Sequence, residues 1–105
     1  MAGRVKFAAP GLEERYAHLA GGDAAERDLH KHIATAIAWL REDPFCGIQV
    51  QKRLIPKEYG VKNLWKLNLP RGWRQLYTVE VGTVMIVSII LEWMDHKEYE
   101  QRFRY

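Results

Sequence analysis

The chain predicts an α+β domain: a small, mostly antiparallel four-stranded sheet with two helices packed on one face and a short C-terminal helix, in the order β-α-α-β-β-β-α. Three observations predict it. A capped amphipathic helix with a single apolar stripe occupies the N-terminal half, two alternating apolar and polar stretches flank Pro70-Arg71-Gly72, and a branched apolar run, "VMIVSIIL", follows them. At 105 residues and 48% hydrophobic content, the chain fits one domain covering residues 1–105.

Taken in order, Arg4 to Ala8 ("RVKFA") sets Val5 and Phe7 against Lys6, a short strand before a break at Pro10-Gly11. Leu12 to Leu19 is expected as a helix of about two turns ended by Gly21-Gly22. Asp23 then has N-cap chemistry and Glu26 the reciprocal capping-box position, so a second helix begins at Ala24. Leu29, Ile33, Ala36, Ile37 and Leu40 form its buried stripe. Asp43-Pro44 stops it, because the residue before proline is pushed out of the α region.

Phe45 to Lys62 reads as an ordered connection with room for one short extended piece, punctuated by Gly47, Pro56 and Gly60. Leu64 to Leu69 places Trp65, Leu67 and Leu69 on one face and Lys66 and Asn68 on the other; after the turn, Trp73 to Val79 returns as a hairpin partner. A turn near Gly82 leads to Val84–Leu91, apolar on both faces as a covered central strand would be. The tail, "LEWMDHKEYEQRFRY", turns helical after Asp95, with Tyr99 and Phe103 sharing a face at i, i+4.

Charge narrows the function classes. Formal net charge is only +3, but Gln49–Val79 holds Lys52, Arg53, Lys57, Lys62, Lys66, Arg71 and Arg74 against the single acid Glu58. A basic stretch on a near-neutral body suits a polyanion, either nucleic acid or an acidic protein. No apolar run approaches the ~18 residues of a membrane span and no apolar leader stretch opens the chain, so a cytoplasmic protein without membrane contact is expected. The lone Cys46 belongs to no zinc or redox pattern and reads as packing.

Several chemistries find no support. His30 and His32, two apart on a helix, point away from each other; His18 stands alone, and no H-E-x-x-H or Cys/His cluster occurs, so neither a metal site nor a cofactor is expected. Ser88 lies inside the most apolar strand, and "AGGDA" lacks the spacing of a phosphate-binding loop. What remains is a set of cations and hydroxyls on the hairpin and tail. Lys66 and Asn68 share one strand face, Arg74 starts the facing strand, and the tail can bring His96 and Tyr99 toward the same sheet.

Such groups suit RNA, whose 2′-hydroxyl can attack the adjacent phosphate without a metal. The reaction needs a base for that hydroxyl, cations for charge growing on phosphorus and an acid for the leaving 5′-oxygen. Histidine titrates near neutrality as a residue type, and arginine clamps phosphate with two bonds. Bland roles compete: Lys66 and Asn68 as a solvated strand face, Arg74 paired with Glu80 or Glu92, Tyr99 and Phe103 as a docking seam, and Trp65, Trp73 and Trp93 as packing.

"NLWKLNLPRGWRQLYTV", "VMIVSIILEW" and "DHKEYEQRF", in that succession, resemble the RelE/ParE toxin superfamily of toxin–antitoxin systems, above all its RelE-like and HigB-like mRNA interferases. The resemblance covers Leu64–Phe103 and implies a hydrolase that cuts mRNA at the ribosome, restrained by a cognate antitoxin protein. It implies catalytic roles for Lys66, Arg74, His96 and Tyr99, while the basic stretch itself offers Lys52, Arg53, Lys57, Lys62 and Arg71, with Asn68 on the Lys66 strand face, as RNA-binding residues. Asn68 and Trp93 stand where the resemblance expects cations, which leaves three outcomes: a slow nuclease, one that uses Lys62 or Arg71 instead, or a chain that has abandoned catalysis. The alternative is a non-catalytic ParE-like or orphan binding module whose basic surface holds an acidic partner; a third reading is a structural RNA-binding protein. Exposed C-terminal aromatics would serve a homodimer or receive an antitoxin helix.

Overall fold

The computed structural model describes residues 3–103. Its elements are β1 (Gly3–Phe7), α1 (Pro10–Leu19), α2 (Ala24–Glu42), β2 (Ile48–Gln49), β3 (Trp65–Asn68), β4 (Arg74–Val81), β5 (Ile86–Met94) and α3 (His96–Arg102), with short 3₁₀ turns at Lys52–Leu54, Lys57–Tyr59 and Pro70–Gly72. The fold is α+β, and its sheet has five strands, not four, in the spatial order β1-β5-β4-β3-β2. The added strand is the extended piece of the 45–62 connection: Ile48 and Gln49 pair antiparallel with Lys66 and Trp65. All pairings are antiparallel except β1 with β5, which run parallel from Gly3↔Ile86 to Phe7↔Ile90.

Pro10-Gly11 does not break the chain. Pro10 is the first helical residue of α1, where a missing N–H costs nothing because no intrahelical acceptor exists for it. In α2 the Asp23 carboxylate accepts from Glu26 N–H at 2.9 Å while Glu26 accepts from Asp23 N–H at 3.2 Å, closing the reciprocal cap. The stripe from Leu29 to Leu40 is buried against β1 and the sheet, together with Leu67, Leu69, Tyr77, Val79, Ile86, Ile90 and Trp93. That cluster fills one sheet face.

The opposite face is covered as well, which departs from helices packed on one side. Val50, Leu64, Leu76, Met94, Tyr99 and Phe103 form a second buried cluster, roofed by α3 and by Leu54, Ile55, Tyr59 and Val61 of the connection. Strand β5 runs past Leu91 to Met94 and starts only at Ile86; Val84 and Met85 sit in the exposed turn. The register slips between Leu76 and Tyr77, so that Leu76 opposes Glu92 while Tyr77 opposes Ile90. Leu91 is thus the extra residue of a bulge, and Leu91 and Glu92 both reach the α3 side.

Two sequence readings are corrected here. Cys46 is exposed and packs no core, because the chain leaves α2 at Asp43 and runs over the surface before β2. Of the C-terminal aromatics, Tyr99 and Phe103 are buried, 6% and 3% exposed, because they dock α3 onto the sheet. Arg104 and Tyr105, which end the tail, lie outside the described residues.

Two buried polar side chains on β4 contrast. The Tyr77 hydroxyl donates to Pro44 O at 3.0 Å and accepts from Gly47 N–H at 3.1 Å, tying the end of α2 to the sheet. Only glycine fits at position 47, since a Cβ there would lie 2.6 Å from that hydroxyl and from Lys66 O. Gln75 is fully buried between Leu67 and Trp93 of the flanking strands, and its carboxamide meets no partner among the described residues. Tyr77→Phe is therefore expected to lose roughly 1–3 kcal/mol, and Gln75→Met to gain stability by removing an unsatisfied group. Urea denaturation of both variants checks the pair; equal signs would refute the contrast.

Candidate active site

The hairpin alternation places Lys66 and Arg74 on the α3 side of the sheet, opposite Trp65, Leu67 and Trp73. Helix α3 is short, and its start is set by Asp95, whose side chain accepts from Glu98 N–H at 2.8 Å. Its Tyr99 and Phe103 rings stack at 4.5 Å and sink into the second core cluster. This docking lays Tyr99 across the two cations. Lys66 Nζ donates to the Tyr99 hydroxyl at 2.8 Å and lies 4.7 Å from the ring centroid, while Arg74 Cζ lies 5.4 Å from the same centroid.

His96 completes the group. Its Nδ1 is 3.4 Å from Arg74 Nη2 and its Nε2 is 2.7 Å from Glu100 Oε1, one turn along α3. Arginine can only donate, so the arrangement assigns the lone pair to Nδ1 and the proton to Nε2, where Glu100 accepts it. A carboxylate orients the ring from one side and leaves a basic nitrogen facing the cations. Arg74 pairs with neither Glu80 nor Glu92; its other contact is the Trp73 carbonyl at 3.3 Å, and its buried Nε has no partner among the described residues. Neither Lys66 nor Arg74 makes an ion pair among those residues. Among the described residues the site therefore sets two cations without a carboxylate partner beside the His96 imidazole.

The remaining candidates separate. Asn68 is exposed on β3 directly opposite Arg74. Lys52, Lys57 and Lys62 are exposed around one depression of about 200 Å³ in the connection that roofs the same sheet face, and Arg53 Nε donates to Gln51 nearby. Arg71 turns away, to the helix side, where its Nε is 3.3 Å from Asp28 Oδ2. The Trp93 indole belongs to the helix-side core and brings nothing to the cluster. His30 stacks on Tyr16 at 4.4 Å and His32 pairs with Asp28 at 3.3 Å, so the two histidines do diverge.

Glu100 and Gly72 matter to the site and were not singled out from sequence. Glu100 was legible as the i, i+4 partner of His96. Gly72 has φ +80°, and a Cβ there would lie 3.1 Å from His96 Cβ, so the hairpin turn seats the imidazole. A further clamp holds the far end of α3. Arg102 Nη1 donates to the Tyr59 hydroxyl at 3.0 Å and reaches Glu92 at 3.3 Å and Glu58 at 3.6 Å, while Tyr59 donates to Glu92 at 3.0 Å. Burial, then the adjacent Glu92 carboxylate, pushes the Tyr59 phenol well above its ordinary range, so it stays a neutral donor.

No protein-family model matches the chain, and no curated protein matches it. No helix among the described residues is long and apolar enough to cross a membrane.

Gly72→Ala combines a left-handed backbone with a side chain pressed on His96. It is expected to destabilise by about 1–3 kcal/mol and to shift the imidazole resonances in a nitrogen-correlated spectrum. An unmoved His96 signal would refute the seating.

Proposed function

We propose that the chain is an endoribonuclease that cuts unpaired mRNA without a metal, with Arg74, Lys66, His96 and Tyr99 as its working groups. The observation that carries this reading is the convergence of two cations, neither ion-paired among the described residues, on one phenol beside an imidazole whose Nδ1 faces Arg74. In the proposed step His96 Nδ1 takes the proton of a ribose 2′-hydroxyl and the freed oxygen bonds to phosphorus. The bond from phosphorus to the 5′-oxygen breaks, and Lys66 protonates the departing oxygen. The products are a 2′,3′-cyclic phosphate and a 5′-hydroxyl. Arg74 holds the non-bridging oxygens as their charge grows, and Tyr99 fixes Lys66 through its hydroxyl.

Lys52, Lys57 and Lys62 would guide the strand toward the cluster over the roof of the same face, a contact weakened by salt. The resemblance to RelE-like toxins adds the ribosome as the place of cutting, a cognate antitoxin as the restraint and the cytoplasm as the setting. A second reading, a binding module for an acidic protein, rests on those same three lysines and asks nothing of His96.

Induction in cells with mapping of mRNA ends tests the proposal. Growth arrest with cuts carrying cyclic phosphate ends is expected. Arg74→Ala and His96→Asn should each lower cleavage by roughly 10²–10⁴-fold, the range for a lost catalytic group, and Tyr99→Phe by less. Intact messages under arrest would favour the binding module, and cleavage unchanged in Arg74→Ala would sink the assignment.

A further inference from the structure

A second cleft lies on the other face of the sheet, at the same end as the cluster. Its volume is about 230 Å³, and it opens between α1, α2 and the Pro70–Gly72 turn. Pockets for drug-sized ligands run to ~300–1,000 Å³, so this one suits a single ring system. Two indoles line it: Trp93, from the core, and the half-buried Trp73. The Arg15 guanidinium caps Trp93 at 5.4 Å from the ring centroid, and Arg71 stands at the rim with 78% of its side chain exposed. The Asp28 carboxylate lines the cleft together with Glu26, and its Oδ2 accepts two long contacts of 3.3 Å from His32 and Arg71.

These parts have a definite complement. The half-buried Trp73 can stack on a flat ring, with the buried Trp93 as floor, and guanidinium groups take a phosphate. The carboxylate is acceptor-only with about four lone-pair sites, so the two long contacts leave capacity for a ligand. Among unpaired bases guanine alone presents two adjacent donors, N1–H and the exocyclic amine, which match the two oxygens of a carboxylate. Adenine and cytosine set one donor beside an acceptor, and uracil sets its donor between two acceptors.

Backbone geometry joins this cleft to the cluster. Arg71 is the one non-glycine residue with positive φ among those described, at +62°, and Gly72 follows at +80°. The strained pair sends Arg71 to Asp28 on one face while Gly72 seats His96 on the other.

We infer that the cleft framed by Trp73, Trp93, Arg15, Arg71 and Asp28 binds a guanine nucleotide, as a base-selective subsite for RNA whose scissile phosphate lies at Arg74. The inference rests on the nuclease reading for the source of that nucleotide, and the cleft uses none of the reacting groups.

Tryptophan fluorescence of the full chain, titrated with GMP, UMP and uridine-rich pentanucleotides with or without one guanosine, tests it. Saturable quenching by the guanosine-containing RNA is expected, at least tenfold tighter than by the all-uridine RNA. Ala25→Phe, which fills the cleft from its rim, should abolish that quenching, and Asp28→Asn should bring the two RNAs within about twofold. Equal affinities in the wild type, or quenching that survives both substitutions, overturns the subsite. Lys66→Ala separates the two proposals: it should retain the guanosine preference, and loss of that preference would place the binding in the cluster and overturn the cleft. Guanosine-selective quenching by a protein that cuts no RNA would remove the reaction and keep the nucleotide site. GMP binding as tight as the pentanucleotide would keep the site and assign it to a free nucleotide.

Discussion

The docking of α3 on the second face of the sheet is the contact on which the site depends. A helix of seven residues has no stability of its own in water, because nucleation costs more than so few hydrogen bonds return. What holds it is burial of Tyr99 and Phe103 among Leu64, Leu76 and Met94, worth roughly 1.5–3 kcal/mol per large apolar side chain. The Asp95 cap fixes one end and the Arg102 clamp on Glu92 and Tyr59 fixes the other. Without that docking, Lys66 and Arg74 would be two cations on an open strand face and His96 would have no fixed position.

The same docking shapes the electrostatics. Two like charges on neighbouring strands repel, and the phenol between them supplies the negative face of a ring, not a formal charge. Carboxylates stand nearby, but Glu92 is committed to Tyr59 and Arg102, and Glu100 to His96. The acids thus hold the scaffold and orient the imidazole, and among the described residues no carboxylate pairs with Lys66 or Arg74. An arriving phosphate would supply the missing charge, and Arg74 Nε is a buried donor still without a partner among the described residues.

Much of this was legible locally, and the failures have physical causes. Helix α2 was readable because its cap and its stripe are short-range features, and the faces of β3 because residues alternate strictly there. Strand β2 is two exposed residues long and has no periodicity to read. The end of β5 was lost in the tail because the bulge at Leu91 puts two successive side chains on one face and breaks the alternation. At the site, strand parity makes Lys66 and Arg74 legible as neighbours, whereas the position of His96 and Tyr99 follows from the docking of α3, which no local pattern marks. The clamp was out of reach: Tyr59 finds Glu92 across 33 positions and Arg102 across 43, and nothing local announces either contact.

The Pro70–Gly72 turn shows why the two faces cannot be treated separately. A tight hairpin that follows the right-handed strand twist wants two successive left-handed residues, a demand that asparagine or aspartate with glycine meets most easily. This chain has arginine at the first of those positions, in a conformation that disfavours residues bearing a Cβ. Pairing with Asp28 gives that guanidinium a fixed place against α2, and the missing Cβ at Gly72 gives His96 its seat against the sheet. Relaxing the first residue out of the left-handed region would re-aim the second. Helix-side packing and the position of the imidazole are therefore coupled through one strained turn, and any change at Asp28 should be felt at His96.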